Sequence, residues 1–197
     1  MGNSDRQVAL ERRRRLVVEQ WNLEHEVVLV RSGQALSIAG SDLHHEFRPH
    51  PDFAYLAGYG VPESVLAYDA KARQWQLFGP RSTADEMVWH QPANEIGLPV
   101  DDLDDWLGGR ERQPLIEGWD DRKIQSGIAE IRLQKDELEL SALRSAAATS
   151  EAGFSWVYEN ACAGMTEREV QIAIEAEFFR AGAVRTAYPS IVASGPN

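Results

Sequence analysis

One cysteine, Cys162, stands among 197 residues. An intrachain disulfide needs two and a thiolate zinc site needs more, so both are excluded. With nothing basic beside it in sequence, Cys162 reads as a small buried residue rather than a reactive thiol. Long apolar runs are lacking as well: no stretch approaches the roughly 20 residues needed to span a bilayer. Bases are in deficit. Lys and Arg number 20 against 31 Asp and Glu, a net charge of −11. That disfavours nucleic acid as a partner, because a phosphate-binding face needs a basic surface, and it repels anionic membranes. The start, MGNSDRQVALERRRR, carries no apolar signal core. These absences set the expectation of a cytoplasmic protein that binds neither nucleic acid nor membrane. What is present, 43% hydrophobic and 26% charged residues, is ordinary for a globular chain long enough for one domain, or one and part of another.

Taken in order, the first third reads as helix, strand and loop. Ser4 with Gln7 resembles a capping box opening a helix to about Trp21, with a buried stripe of Val8, Leu16 and arginine stems. Its run Arg12 to Arg15 points four ways around a helix, so it reads as a solvated face, not a basic patch. VVLVR, residues 27–31, has the continuous apolar pattern of a buried strand. Residues 35–39 fit a second short strand or a loop. Then Asp42, His44, His45, Glu46 and His50 fall within nine residues. Such density suits a metal site. Against that, adjacent histidines do not share a face of regular structure, and Pro49 and Pro51 fix an extended polar loop. Asp52 is placed to cap the short turn holding Phe53, Tyr55 and Leu56.

Residues 64–68 and 74–78 alternate as the two strands of a hairpin around a polar connection at 69–72. Residues 83–89 fit one or two helical turns. An acidic helix spans 101–107, a short strand 115–119, and a helix 120–129. Strands alternating with helices argue for an α/β layer around one mostly buried sheet.

The stretch EIRLQKDELELSALRSAAA, residues 130–148, is a junction. Residues 131–133 suit a strand end or tight connection. Asp136 followed by Glu139 forms a capping box, and a long helix to about Cys162 follows. Leu140, Leu143, Ala147, Ser150, Phe154 and Val157 share one of its faces. Gly164 stops it. Thr166 with Glu169 opens a second helix to Arg180, burying Val170, Ile174 and Phe178. Residues 185–194 then read as a strand.

Three stretches carry a resemblance. Within the junction, Glu130, Arg132, Lys135, Glu139, Leu140, Leu143, Arg144 and Ala146 match a segment E-x-R-x-x-K-[ST]-x-x-E-[IL]-x-x-[IL]-R-x-A, with Asp136 where Ser or Thr is usual. FRPHPDFAYLAGY, residues 47–59, is similar to Y-R-x-x-S-D-F-x-Y-L-T-G-F. AYPSIVASGPN, residues 187–197, is similar to Y-x-[ST]-I-V-x-S-G-x-N. In this order and spacing they resemble the family of aminopeptidase P, prolidase and creatinase. The resemblance implies an α/β fold class: a creatinase/prolidase-type mixed-sheet domain, residues 1–129, followed at 130–197 by the start of a pita-bread α+β catalytic domain.

The resemblance also implies chemistry. An Xaa–Pro bond is a tertiary amide without an N–H, so a peptidase that reads that N–H has no handle. The family uses two divalent metal ions of manganese type, held by two Asp, one His and two Glu. All five positions lie beyond Asn197, so residues 1–197 hold neither metal ligands nor catalytic groups of the family's set. The expected partner is therefore a C-terminal catalytic half, continuous or cleaved, covering helices that would otherwise expose apolar faces. A homodimer is implied too, since the loop before D-F-x-Y-L lies near a catalytic cleft, often a neighbour's. Arg48 and His50 become substrate-side candidates for Xaa–Pro peptides, Arg48 because a guanidinium fork suits a carboxylate. Trp89 is the nearest match to an aromatic that reaches a neighbour's site, and packing on its own domain accounts for it equally well. Beside an Xaa–Pro dipeptidase or aminopeptidase stand a metal-free creatinase-like amidinohydrolase and a non-catalytic peptide or histone binder. The sequence past Asn197 separates these, since fold alone does not.

Overall fold

The computed structural model describes residues 3–41, 44–81 and 97–195. It forms two compact units, Met1–Gln134 and Lys135–Asn197. The division by contacts thus falls at residue 134, a few positions past the expected boundary at 129.

Among the described residues, unit one is built on a five-stranded mixed sheet. Its strands are β1 (Val27–Arg31), β2 (Val65–Asp69), β3 (Gln74–Gly79), β4 (Leu98–Pro99) and β5 (Leu115–Glu117), in spatial order β4-β3-β2-β1-β5. The hairpin read from residues 64–78 is present: β2 and β3 run antiparallel with Ala67 opposite Gln76. β1 pairs antiparallel with β2, Leu29 opposite Ala67, and parallel with β5, Val27 opposite Leu115. Four residues of β1 are buried in succession, as a strand covered on both faces requires.

Side-chain alternation divides two cores. Val28, Val30, Leu66 and Tyr68 face helices α1 (Asn3–Trp21), α2 (Pro51–Ala57) and α4 (Arg122–Leu133). Val27, Leu29, Val65, Ala67 and Phe78 face the other way, onto Leu103 of α3 (Leu103–Gly108). The α3 ring Trp106 meets Phe78 edge-on, 5.6 Å between centroids.

The α1 stripe differs from the expected one. Asn3 already lies in α1, so Ser4 is inside the helix and is not its cap. Val8 is exposed, and the buried positions are Arg13, Val17 and Trp21, one helical face at intervals of four. Trp21 explains the choice. Its ring packs on Tyr68 and Trp75, and its Nε1 donates to the Ile124 carbonyl at 3.1 Å, which fills the polar requirement of a buried indole. Nor is the arginine run a solvated face throughout. Arg13 Nη1 donates to the Tyr55 carbonyl (3.1 Å) and Arg14 Nε to the Leu56 carbonyl (2.9 Å). Two arginines thereby serve the orphan carbonyls of α2, where a cation also favours the negative helix end. Burial pulls the Arg14 guanidinium below its ordinary value, against the opposing pull of Glu11 and Tyr59. Gly58 closes α2 in the left-handed conformation, φ +80°.

Residues 131–133 are the last turn of α4, not a strand end. The reason is local: Asp121 caps the helix by accepting from the Ile124 N–H, Ile124 and Ile128 bury one face, and no proline intervenes before Gln134.

Unit two holds α5 (Glu137–Asn160) and α6 (Glu167–Arg180). Both expected capping boxes form, Asp136 with Glu139 and Thr166 with Glu169. The helix ends at Asn160, before Gly164. The expected α5 stripe is not buried: Leu143 and Phe154 are exposed. The packed side is that of Gly153, where a Cβ would come within 2.7 Å of Phe178 Cδ1 and 2.8 Å of Ile174 Cγ1. A glycine therefore sets the closest approach of the two helices. Val170, Ile174 and Phe178 are half-buried rather than buried. Cys162 is exposed, contrary to its reading as a core residue, because it follows α5 in a turn. Residues 185–194 form no strand; among the described residues nothing offers them a ladder. They are held instead by carboxylates of α6, Glu167 Oε1 accepting from Ser194 N at 2.8 Å.

Candidate functional site

The loop ahead of α2 is anchored at the carboxyl end of β1. The His50 N–H donates to the Ser32 carbonyl (2.8 Å), and Ser32 Oγ joins the β2 approach by donating to Val61 O (2.7 Å) and accepting from Ser64 N (2.9 Å). Upstream, Ser37 bridges His44 and the His45 N–H donates to the Leu36 carbonyl (2.8 Å), setting 44–45 against 36–37. Pro51 occupies the first turn of α2 and His50 is its N-cap, an arrangement proline favours because its missing N–H is one of the orphans.

This corrects the capping assignment. His50 Nδ1 accepts from the Asp52 N–H at 3.4 Å, so the imidazole, not Asp52, caps the helix. The Asp52 carboxylate turns instead to Arg132 of α4, Oδ1 to Nη1 2.8 Å, while its Oδ2 lies 3.9 Å from His50 Nδ1. Arg132 also lies over the Tyr55 ring at 5.5 Å, as Arg13 does at 4.4 Å. Sequence reasoning missed this cluster. The available signal was only that Asp52, Tyr55 and Arg132 all sit in the segments that carried the resemblance, and that an Asp and an Arg can pair.

Of the expected substrate-side residues, Arg48 is exposed and lies 3.7 Å from Glu46. His50 is about half exposed, 45% at the side chain. Trp89, the helical turns at 83–89 and Asp42 lie outside the described residues. Among the described residues no group of three or more His, Cys, Asp or Glu side chains is placed to hold a metal ion.

Comparison with known proteins adds the lineage. The family model "Aminopeptidase P, N-terminal domain" matches residues 10–96, and "Metallopeptidase family M24" matches 141–197. A probable Xaa-Pro aminopeptidase of Aspergillus terreus is 26% identical over 208 residues, covering 87% of this chain and 43% of its own length. Among solved structures, Pseudomonas aeruginosa aminopeptidase PepP superposes with a TM-score of 0.79 at 21% identity, over 98% of this chain and 52% of that one. Zinc-substituted E. coli aminopeptidase P in complex with product gives 0.71 at 20%, over 90% and 50%. At these identities the structures show the fold. The chain spans about half the length of these relatives. In sequence order the chain carries an aminopeptidase P N-terminal domain followed by the beginning of an M24 metallopeptidase domain, and its fold is that of the aminopeptidase P structures.

Proposed function

We propose that residues 1–197 form the N-terminal half of a metal-dependent exopeptidase that hydrolyses Xaa–Pro bonds, as an aminopeptidase P or a dipeptidase. One observation carries the reading: an aminopeptidase P N-terminal domain and the start of an M24 domain follow each other in one chain, and relatives of the chain are named Xaa-Pro aminopeptidases. Those names favour peptidase chemistry over an amidinohydrolase or a histone binder.

In this reading two divalent ions of manganese type are held by residues outside 1–197, in a C-terminal half that covers the apolar side of α5. When bound, they supply Lewis-acid polarisation of the scissile carbonyl. This chain supplies the loop ahead of α2. Arg48 offers a guanidinium fork for a peptide carboxylate, and His50 offers one ring nitrogen while the other caps α2. Trp89 completes the substrate side from a neighbouring copy in a cytoplasmic homodimer.

The test is hydrolysis of Xaa–Pro peptides by the protein joined to its C-terminal half. Turnover with manganese, lost to a chelator and regained on adding the ion back, supports the reading. Turnover of creatine without metal, or peptide binding with no turnover, overturns it. Unchanged activity in both Arg48→Ala and His50→Ala removes those two from the substrate side.

A further inference from the structure

We propose that Arg132 is a positioning residue that sets which nitrogen of His50 carries the proton, acting through Asp52. The proposal rests on reading His50 as a substrate-side group.

The Asp52 carboxylate is largely buried, 17% exposed, and its two oxygens are divided between two partners. Oδ1 receives the Arg132 guanidinium at 2.8 Å, and Oδ2 is 3.9 Å from His50 Nδ1, too far for a hydrogen bond. His50 Nδ1 is meanwhile an acceptor, taking the Asp52 N–H. A neutral imidazole whose Nδ1 accepts must carry its proton on Nε2. The exposed ring then presents a donor to solvent, suited to a peptide carbonyl or carboxylate oxygen.

The alternative tautomer lies close by. With the proton on Nδ1, the imidazole would donate to Asp52 Oδ2, the capping bond to the Asp52 N–H would be lost, and Nε2 would face outward as an acceptor. An unpaired, partly desolvated carboxylate draws such a proton toward itself. Arg132 removes that pull by occupying the carboxylate. Arg132 belongs to the junction segment 130–148 and Asp52 to segment 47–59, so the pair joins two stretches about 80 residues apart.

The test reads the tautomer directly, by long-range proton–nitrogen correlation on the imidazole-labelled 197-residue chain at about pH 8.5, where imidazoles are neutral. The wild-type chain is expected to show His50 protonated on Nε2. Arg132→Gln should shift the signal toward the Nδ1–H form, Arg132→Lys should restore it in part, and Arg132→Gln with Asp52→Ala should restore it fully, because the competing acceptor is gone. An Nδ1–H or evenly mixed wild-type spectrum overturns the proposal without any variant, so it stays open to refutation even where Arg132→Gln fails to fold. So does an Nε2–H signal unmoved in Arg132→Gln. On the enzyme joined to its C-terminal half, Arg132→Gln should raise KM for an Xaa–Pro peptide roughly 10-fold with a smaller change in kcat. An unchanged KM in His50→Ala would overturn the substrate-side reading while leaving the tautomer result in place.

Discussion

Arg110 closes over Asp69. Its Nε reaches Asp69 Oδ2 at 2.6 Å while its guanidinium carbon sits 3.6 Å from the Trp106 ring centroid. The Asp69 side chain is 5% exposed, and its Oδ1 accepts from the Ala72 N–H at 2.9 Å. One carboxylate thus ends β2, shapes the hairpin turn and ties the loop after α3 back to the sheet. Arg110→Ala leaves a buried carboxylate without its cation and should cost about 3 kcal/mol. Asp69→Asn keeps an acceptor for Ala72 and should cost less, about 1 kcal/mol. Urea unfolding of the two variants measures the difference. Equal losses would mean that the pair's charge contributes nothing.

The same carboxyl sets an acid dependence. Burial raises its pKa, but the Ala72 N–H, Arg110 and Gln113 together outweigh burial and hold it below the ordinary value. A native value below the unfolded one means that the stabilisation is complete above the unfolded value, about 3.9. It is lost as pH falls from there through the native value. Unfolding midpoints of wild type and Asp69→Asn should therefore run parallel from pH 7 to 5 and converge below about pH 4. Parallel curves down to pH 2.5 would remove Asp69 from the acid response.

Gly127 faces Trp21 where α4 crosses α1. A Cβ there would lie 2.7 Å from Trp21 Cδ1 and 3.0 Å from Nε1. Alanine is the better helix former by about 1 kcal/mol, yet the indole is held by Tyr68, Trp75 and the Ile124 carbonyl and has nowhere to go. Gly127→Ala should be destabilising by about 1–3 kcal/mol, with a change in tryptophan fluorescence. A stabilised variant would show that the helix crossing adjusts freely.

Leu143, Phe154 and Tyr158 of α5 are 55%, 65% and 93% exposed. Such a cluster should bind a hydrophobic dye. Leu143→Ser, Phe154→Ser and Tyr158→Ser combined should remove most of the dye signal and leave the unfolding midpoint of unit one unmoved. Dye binding that persists in the triple variant would locate the exposed surface elsewhere.

What could be read in advance was local. The β2–β3 hairpin, the β1 strand and the capping boxes of α5 and α6 follow from a few adjacent residues each and are present, while the box expected of Ser4 and Gln7 is not. The motifs gave the family and the mixed-sheet class. What escaped depended on partners distant in sequence. Nothing near Arg13 or Arg14 announces the carbonyls of Tyr55 and Leu56, 42 residues on. The face of α5 that packs was set by Gly153, which a search for apolar periodicity passes over. Asp52 looked like a cap because its true partner, Arg132, is 80 residues away.

The parallel pairing of β1 with β5 has a consequence for the order of events during synthesis. Residue 27 waits for residue 115, while β2 and β3 can zip together as soon as their short turn has emerged. Until the chain has been made as far as β5, one flank of β1, the most apolar strand, stays open, with its N–H and C=O groups unpaired. Long-range parallel closure of this kind is slow, and an open flank invites pairing with other chains. The nascent protein should be most prone to aggregate when the ribosome has released the hairpin but not yet residues 115–117, and a chaperone that shields an extended apolar segment would be most useful in that interval.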